Sequence, residues 1–151
     1  RPEQALAEAH RVLRSGGKFG FTVWAKPEEA VAFGIVLRAV QRYGTIDVPL
    51  PAGPPFFRFS DPGECRRALR EAGFLTPVVV PLPLVWRLPS PDALFENMQG
   101  STVRTAGLLA AQAPEALDAI RAEIRHAVRA HQKGDRVELP MPAVLASATK
   151  P

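Results

Sequence analysis

The sequence has almost no cysteine and no long apolar segment. Cys65 is the only cysteine among 151 residues, so neither a disulfide nor a cysteine-based metal site can form within one chain. We therefore expect a reducing, cytoplasmic setting. No apolar run approaches the roughly 18 residues that span a bilayer, and the start of the sequence lacks a signal-peptide pattern. Membrane association is accordingly not predicted.

Short motifs for several kinds of catalysis are also missing. The sequence contains no Walker motif, no G-x-S-x-G nucleophile turn and no H-E-x-x-H zinc pattern. His126 and His131 are five residues apart, which places them on different faces of a helix, and no Cys or acid completes a ligand set. We predict no bound metal. His10 lies beside the apolar stripe of a helix and is interpreted as a packed histidine.

No strongly basic segment stands out, although the chain as a whole is basic. Nineteen Lys and Arg against fifteen Asp and Glu give a net charge of +4 and a pI near 9.8. Along the chain the charge is spread, at +1 over residues 1–30, +2 over 31–60, zero over 61–113 and +1 over the remainder. Because nucleic-acid binding depends on cations gathered on one face, we predict no nucleic-acid partner. The stripe of Arg121, Arg125 and Arg129 is interpreted as a solvated helix face.

Proline is the residue in excess. Sixteen of 151 residues are proline, about twice the usual share of ~5%. Four of them stand at predicted helix starts, where a missing N–H costs little: Pro27, Pro62, Pro91 and Pro114. Pro77, Pro81 and Pro83 fall within a predicted strand. Since proline cannot donate to a strand ladder, that strand is expected at a sheet edge or with a bulge.

Apolar periodicity predicts the element order α-β-α-α-β-α-α-β. The predicted strands cover residues 18–24, 76–88 and 136–149. Two of the predicted helices span 27–43 and 114–132, and a third has Asp61 as its N-cap and Gly73 as its C-cap. Strands that alternate with helices indicate an α/β fold. The length fits one domain over residues 1–151.

Three segments carry a resemblance to a known family. The helix that ends in Arg11-Val12-Leu13-Arg14-Ser15-Gly16-Gly17 leads into a strand, the ending Glu71-Ala72-Gly73-Phe74 leads into another, and Glu138 to Ala148 forms a last strand. In this order they resemble the C-terminal half of class I S-adenosylmethionine-dependent methyltransferases of the UbiE or type 11 group. Ser15 stands where the family usually has proline.

The resemblance implies a partial Rossmann-like methyltransferase sheet of three strands, the last antiparallel, with flanking helices and a helical cap insertion at about 89–133. It also implies a full-length protein that uses S-adenosylmethionine to methylate a small, apolar acceptor. The family's D-x-G-x-G-x-G turn is missing here, so no cofactor-binding residue is assigned and no catalytic residue is identified. The sequence begins at Arg1 within a helical pattern. We therefore expect an inactive fragment, half of a domain of some 250 residues, the size that the resemblance implies.

Six residues are candidates for a substrate pocket. Trp24 ends a predicted strand, and ligands of open α/β sheets bind beyond the carboxyl ends of strands. The other candidates are three aromatic residues in a proline-rich loop and two residues in the predicted cap: Phe56, Phe57, Phe59, Phe95 and Met98. Alternatively, Trp24 belongs to the core or its rim, the loop aromatics anchor the loop, and the cap residues form an ordinary buried stripe.

A second hypothesis is a non-catalytic dimerisation or interaction module derived from the same fold. In the family the strand that corresponds to residues 18–24 pairs with a preceding strand that this sequence lacks. Residues 18–24 would then form an open apolar edge, and such edges recruit other strands. This hypothesis predicts a homo-oligomer through that edge.

Overall fold

A computed structural model describes all 151 residues, which form six α-helices, six β-strands and two 3-10 helices. The helices are α1 (Pro2–Val12), α2 (Val31–Tyr43), α3 (Pro62–Glu71), α4 (Ala93–Ser101), α5 (Arg104–Ala110) and α6 (Pro114–Val128). The strands are β1 (Lys18–Trp24), β2 (Leu75–Leu82), β3 (Val85–Leu88), β4 (Gln132–Lys133), β5 (Arg136–Pro140) and β6 (Ala143–Thr149). The 3-10 helices are Arg58–Ser60 and Arg129–His131.

The chain divides into two compact units, each assembled from separate stretches of sequence. The first unit consists of Arg1–Lys26, Gly53–Leu84 and Pro142–Pro151. The second consists of Pro27–Ala52 and Val85–Met141, and it contains the whole of the predicted cap at 89–133 together with α2. Each unit has its own three-stranded sheet, so the predicted mixture of helices and strands is confirmed.

The sheet of the first unit has the order β1-β6-β2. β6 pairs antiparallel with both neighbours, so β1 and β2 run parallel to each other. The prediction that the proline-containing strand lies at an edge is confirmed, because β2 is an edge strand. Its register with β6 also shifts between Leu75 and Val78, where Thr76 adopts a positive φ of 49°.

Two predicted strands are each divided between the two sheets. Residues 76–88 do not form one strand, since Leu84 N–H donates to the carbonyl of Leu82 at 2.9 Å and this tight turn separates β2 from β3. Residues 136–149 likewise divide at Met141-Pro142 into β5 and β6. Proline provides the physical reason in both places, because Pro83 and Pro142 have no N–H with which to continue a ladder.

Helices α1 and α3 cover one face of the first sheet. The buried core of this unit comprises Leu6, Cys65, Ala68, Leu69, Phe74, Val144, Ala146 and Ala148. Side chains alternate along β1, so Phe19, Phe21 and Val23 pack against this core while Lys18, Gly20 and Thr22 are exposed on the opposite face. The side chains of Val78 and Val80 on β2 are exposed as well.

The second unit has a small antiparallel sheet of order β3-β5-β4 and the remaining helices. Its buried residues include Val36 and Val40 of α2, Ile120 and Ile124 of α6, and Leu139 of β5. The arginine stripe of α6 is partly occupied by ion pairs. Arg121 lies 3.6 Å from Glu96, and Arg125 pairs with Asp92.

Capping determines both ends of α3. Asp61 accepts hydrogen bonds from the backbone N–H groups of Gly63 at 2.6 Å and Glu64 at 3.2 Å, which satisfies two free donors of the first turn. At the other end Gly73 has a φ of +93°, and Phe74 N–H donates to the carbonyl of Leu69 at 3.0 Å. Both predicted caps are confirmed.

Replacing Gly73 by alanine is expected to destabilise the protein. A Cβ there would occupy left-handed backbone space and meet His10 Nε2 at 3.1 Å. We expect Gly73→Ala to lower the free energy of unfolding by about 1–2 kcal/mol, measured by urea denaturation. Gly100→Ala is the matched control, since a Cβ within α4 meets nothing within 4 Å and alanine favours a helix. Equal stability of Gly73→Ala and the parent would contradict this account.

Candidate functional site

An apolar hollow of about 240 Å³ lies at the carboxyl ends of β1 and β2. Three segments line it, and we call it the Trp24 hollow. Its residues are Thr22, Val23 and Trp24 at the end of β1, Leu82 and Leu84 at the end of β2, and Ala143 at the start of β6. None of these side chains is charged. The position is the one at which open α/β sheets bind ligands.

Hydrogen bonds fix the end of β1 from two directions. The hydroxyl of Ser60 donates to the carbonyl of Trp24 at 2.7 Å, and the N–H of Ala25 donates to the carbonyl of Pro142 at 3.0 Å. Ser60 closes the 3-10 helix and immediately precedes the N-cap of α3, so the backbone of Trp24 is tied to a firmly capped element. The backbone that carries the wall of the hollow is therefore ordered from both sides.

A second apolar hollow of about 290 Å³ opens beside β1, between that strand and α1. We call it the Phe59 hollow. It is lined by Pro2, Ala5, Leu6, Phe19, Phe21, Thr22, Val23 and Phe59. The rings of Phe21 and Phe59 meet edge to face with centroids 5.7 Å apart, and Phe19 stacks on Phe74 at 5.4 Å. The hollow thus continues the aromatic part of the core to the edge of the sheet.

An ion-pair network borders the Phe59 hollow. Arg58 donates from Nη1 to Glu3 at 2.6 Å and from Nε to Glu64 at 2.9 Å, and its guanidinium lies 5.0 Å from the centre of the Phe59 ring. Arg67 donates two further hydrogen bonds to Glu64, from Nε at 3.0 Å and from Nη2 at 2.9 Å. Hydrogen bonds from Arg67, and to a smaller extent from Arg58, lower the pKa of the Glu64 carboxyl to about 2.

The lowered pKa of Glu64 predicts a loss of stability in acid. A carboxylate whose pKa is lower in the folded than in the unfolded state contributes stability above the unfolded value, and that contribution is lost as the pH falls through the folded value. We therefore expect the free energy of unfolding to fall between about pH 4.5 and pH 2. Urea denaturation at several pH values would measure it. The variant Glu64→Gln should show a shallower dependence, and an unchanged slope would contradict the assignment.

The structure distributes the predicted pocket residues over several places. Trp24 lines one hollow and Phe59 lines the other. Phe56 and Phe57 line neither of them; their rings meet edge to face at 4.8 Å, and Phe56 is 50% exposed. The remaining two, Phe95 and Met98, are buried on α4 in the second unit, where the guanidinium of Arg121 lies 5.3 Å from the Phe95 ring.

Of the six residues that line the Trp24 hollow, the sequence predicted only Trp24. Leu82, Leu84 and Ala143 come from strand ends that are distant from Trp24 in sequence, and only the strand order brings them together. The one available signal was local: the Pro-Leu-Pro-Leu run at 81–84 breaks a strand, and a break marks a strand end.

Reactive and metal-binding side chains are not gathered at either hollow. The Cys65 thiol is buried and donates to the carbonyl of Phe59 at 3.0 Å, and burial raises its pKa. No group of three or more His, Cys, Asp or Glu side chains is placed to hold a metal ion. Every helix of the chain is too short or too polar to cross a membrane. Apart from Thr22, the residues that line the two hollows are apolar, which suits both hollows to apolar groups.

No model of a known protein family matches this chain, and no curated protein matches it. The function is therefore inferred from the geometry of the two hollows and of the first sheet.

Proposed function

We propose that this chain is the C-terminal part of an S-adenosylmethionine-dependent methyltransferase and that the Trp24 hollow receives a small, apolar methyl acceptor. The observation that carries the proposal is the first sheet. Two parallel strands, β1 and β2, flank a last strand that runs antiparallel to both. This arrangement, with a hollow at the carboxyl ends of β1 and β2, supports the Rossmann-like sheet that the three sequence segments imply.

The chemistry of the Trp24 hollow fits this role. Methyl transfer requires little covalent assistance, because holding the acceptor in line with the methyl donor supplies most of the effect. The indole of Trp24 offers a flat wall, and Leu82 and Leu84 extend the apolar lining. A neutral acceptor fits a lining without charge, whereas a charged acceptor would lose its hydration without gaining a partner.

The cofactor does not fit the same residues. S-adenosylmethionine carries a carboxylate, an ammonium group and ribose hydroxyls. In the family that the sequence resembles, an acidic residue at the end of an early strand accepts hydrogen bonds from the ribose hydroxyls. No acid lines the Trp24 hollow, and no glycine turn approaches it. We therefore assign no cofactor contact to this chain and derive no step through the cofactor.

Isothermal titration calorimetry of the chain with S-adenosylmethionine tests this assignment. Because no acid and no glycine turn line the Trp24 hollow, we expect no saturable heat at millimolar cofactor. Saturable heat at micromolar cofactor would overturn the assignment.

Fluorescence tests whether the Trp24 hollow binds apolar rings. We expect 1-naphthol to quench Trp24 emission saturably in a Trp86→Phe background, in which Trp24 is the only tryptophan. Leu84→Glu should weaken this binding about tenfold, since it places a charge in the lining. Val80→Glu is the matched control: Val80 and Leu84 are 39% and 45% exposed, but Val80 does not line the hollow. Equal affinities of the two variants for 1-naphthol would contradict the assignment of the Trp24 hollow as the acceptor site.

A second candidate function is a non-catalytic interaction module, and the free edge of β1 favours it. β1 has β6 as its only strand neighbour, so one side of the strand is open. We propose that this edge recruits a further strand, either from a second copy of the chain, as the homo-oligomer prediction has it, or from another protein.

A further inference from the structure

The open edge of β1 has a defined set of free backbone groups. Ala25 N–H donates to the carbonyl of Pro142, and Lys150 N–H donates to the carbonyl of Gly17, which fixes the bonded positions of the antiparallel ladder. Since these positions alternate, Phe19, Phe21 and Val23 bond to β6, while the N–H and C=O groups of Lys18, Gly20 and Thr22 point to the open side. Ser60 already occupies the far end of that side through the carbonyl of Trp24.

The core face of the sheet extends beyond this edge. The Phe59 hollow is bounded by β1 on one side and by α1, at Pro2, Ala5 and Leu6, on the other. A strand added next to β1 would place every second side chain over this hollow, because side chains alternate between the two faces of a sheet. Apolar side chains fit this hollow best, since seven of its eight lining residues are apolar.

The net charge of the first unit indicates which side chains the added strand should carry on its other face, away from the Phe59 hollow. The unit carries ten Lys and Arg against five Asp and Glu, a net charge of +5 that the linear sequence conceals because the unit is discontinuous. All five acids are engaged. Glu3, Glu8, Glu64 and Glu71 pair with arginines of the unit, and Asp61 caps α3.

Seven cations of the unit have no acidic partner, and they are Arg1, Arg14, Lys18, Lys26, Arg66, Arg70 and Lys150, the last of which donates to the backbone carbonyls of Arg11 and Leu13 instead. Lys18 begins β1, Lys26 follows its end, and both are exposed. A second copy of the chain would bring the same cations to the edge, and like charges across paired strands are destabilising. An acidic strand would neutralise them.

We propose that the β1 edge binds, by strand addition, an extended segment of another protein that alternates apolar and acidic residues. Its backbone pairs with Lys18, Gly20 and Thr22, its apolar side chains enter the Phe59 hollow, and its carboxylates face Lys18 and Lys26. This inference rests on the second candidate function, the interaction module, and it names the partner of the same edge.

The test uses a short fluorescent peptide that alternates valine and glutamate, and a matched peptide that alternates valine and lysine. Fluorescence anisotropy with the full chain measures binding. We expect the glutamate peptide to bind at least tenfold more tightly than the lysine peptide, and the preference to decrease as salt is added. Equal binding of the two peptides would overturn the proposal.

A proline variant tests strand pairing directly. Gly20 N–H points to the open side, so Gly20→Pro leaves the β6 ladder intact while removing a donor that the peptide needs. We expect a loss of binding of at least tenfold in Gly20→Pro. Gly20→Ala is the control; its Cβ meets only ordinary contacts, at 3.5 Å from the Ala146 carbonyl, and binding should be retained. Unchanged binding in Gly20→Pro would overturn the proposal.

A charge-reversed variant gives a readout that does not depend on proline. Lys18→Glu combined with Lys26→Glu should reverse the preference, so that the lysine peptide binds more tightly. Sedimentation of the parent chain separates the remaining outcomes. A dimer that Gly20→Pro abolishes would show that a second copy occupies the edge, which overturns the acidic partner but retains the interaction module. A monomer that binds neither peptide would overturn both.

Discussion

The double pairing of β6 is the interaction on which the first unit depends. This strand supplies the backbone partners of β1 on one side and β2 on the other, so without it the two parallel strands have no common ladder. The buried residues Val144, Ala146 and Ala148 lie on the same strand and form the middle of the core under α1 and α3. Both hollows also depend on it, because its pairing with β1 and β2 places the strand ends that line the Trp24 hollow and holds β1 at the sheet's edge.

Elements marked by local chemistry could be predicted from the sequence. The limits of α3 follow from Asp61 and Gly73, since a side-chain cap and a left-handed glycine act within a few residues of the chain. β1 was predicted over 18–24, the same residues that the structure assigns to it. The position of Trp24 at a strand end follows from the same local evidence.

Features that depend on which strands are neighbours could not be predicted. The apolar pattern continues through Leu82-Pro83-Leu84 and through Met141-Pro142, although the chain passes from one sheet to the other at each point. Periodicity reports which face of a strand is apolar, and it contains no information about which sheet the strand joins. For the same reason Leu84 and Ala143 could not be assigned to the Trp24 hollow from the sequence. The net charge of +5 on the first unit was not apparent either, because the residues of that unit are spread over three separate stretches of the sequence.

The interleaving of the two units has a consequence for folding. β1 and its ladder partner β6 are separated in sequence by the whole of the second unit, so closing that ladder fixes a very long loop unless the intervening residues are already compact. The second unit contains no residue from beyond Met141. During synthesis on the ribosome the second unit can therefore become compact first. Phe19 and Phe21 of β1 have no strand partner until residues 143–149 have been made. Folding would then proceed outwards from the second unit, and β1 would gain its partner β6 only after those residues have been made.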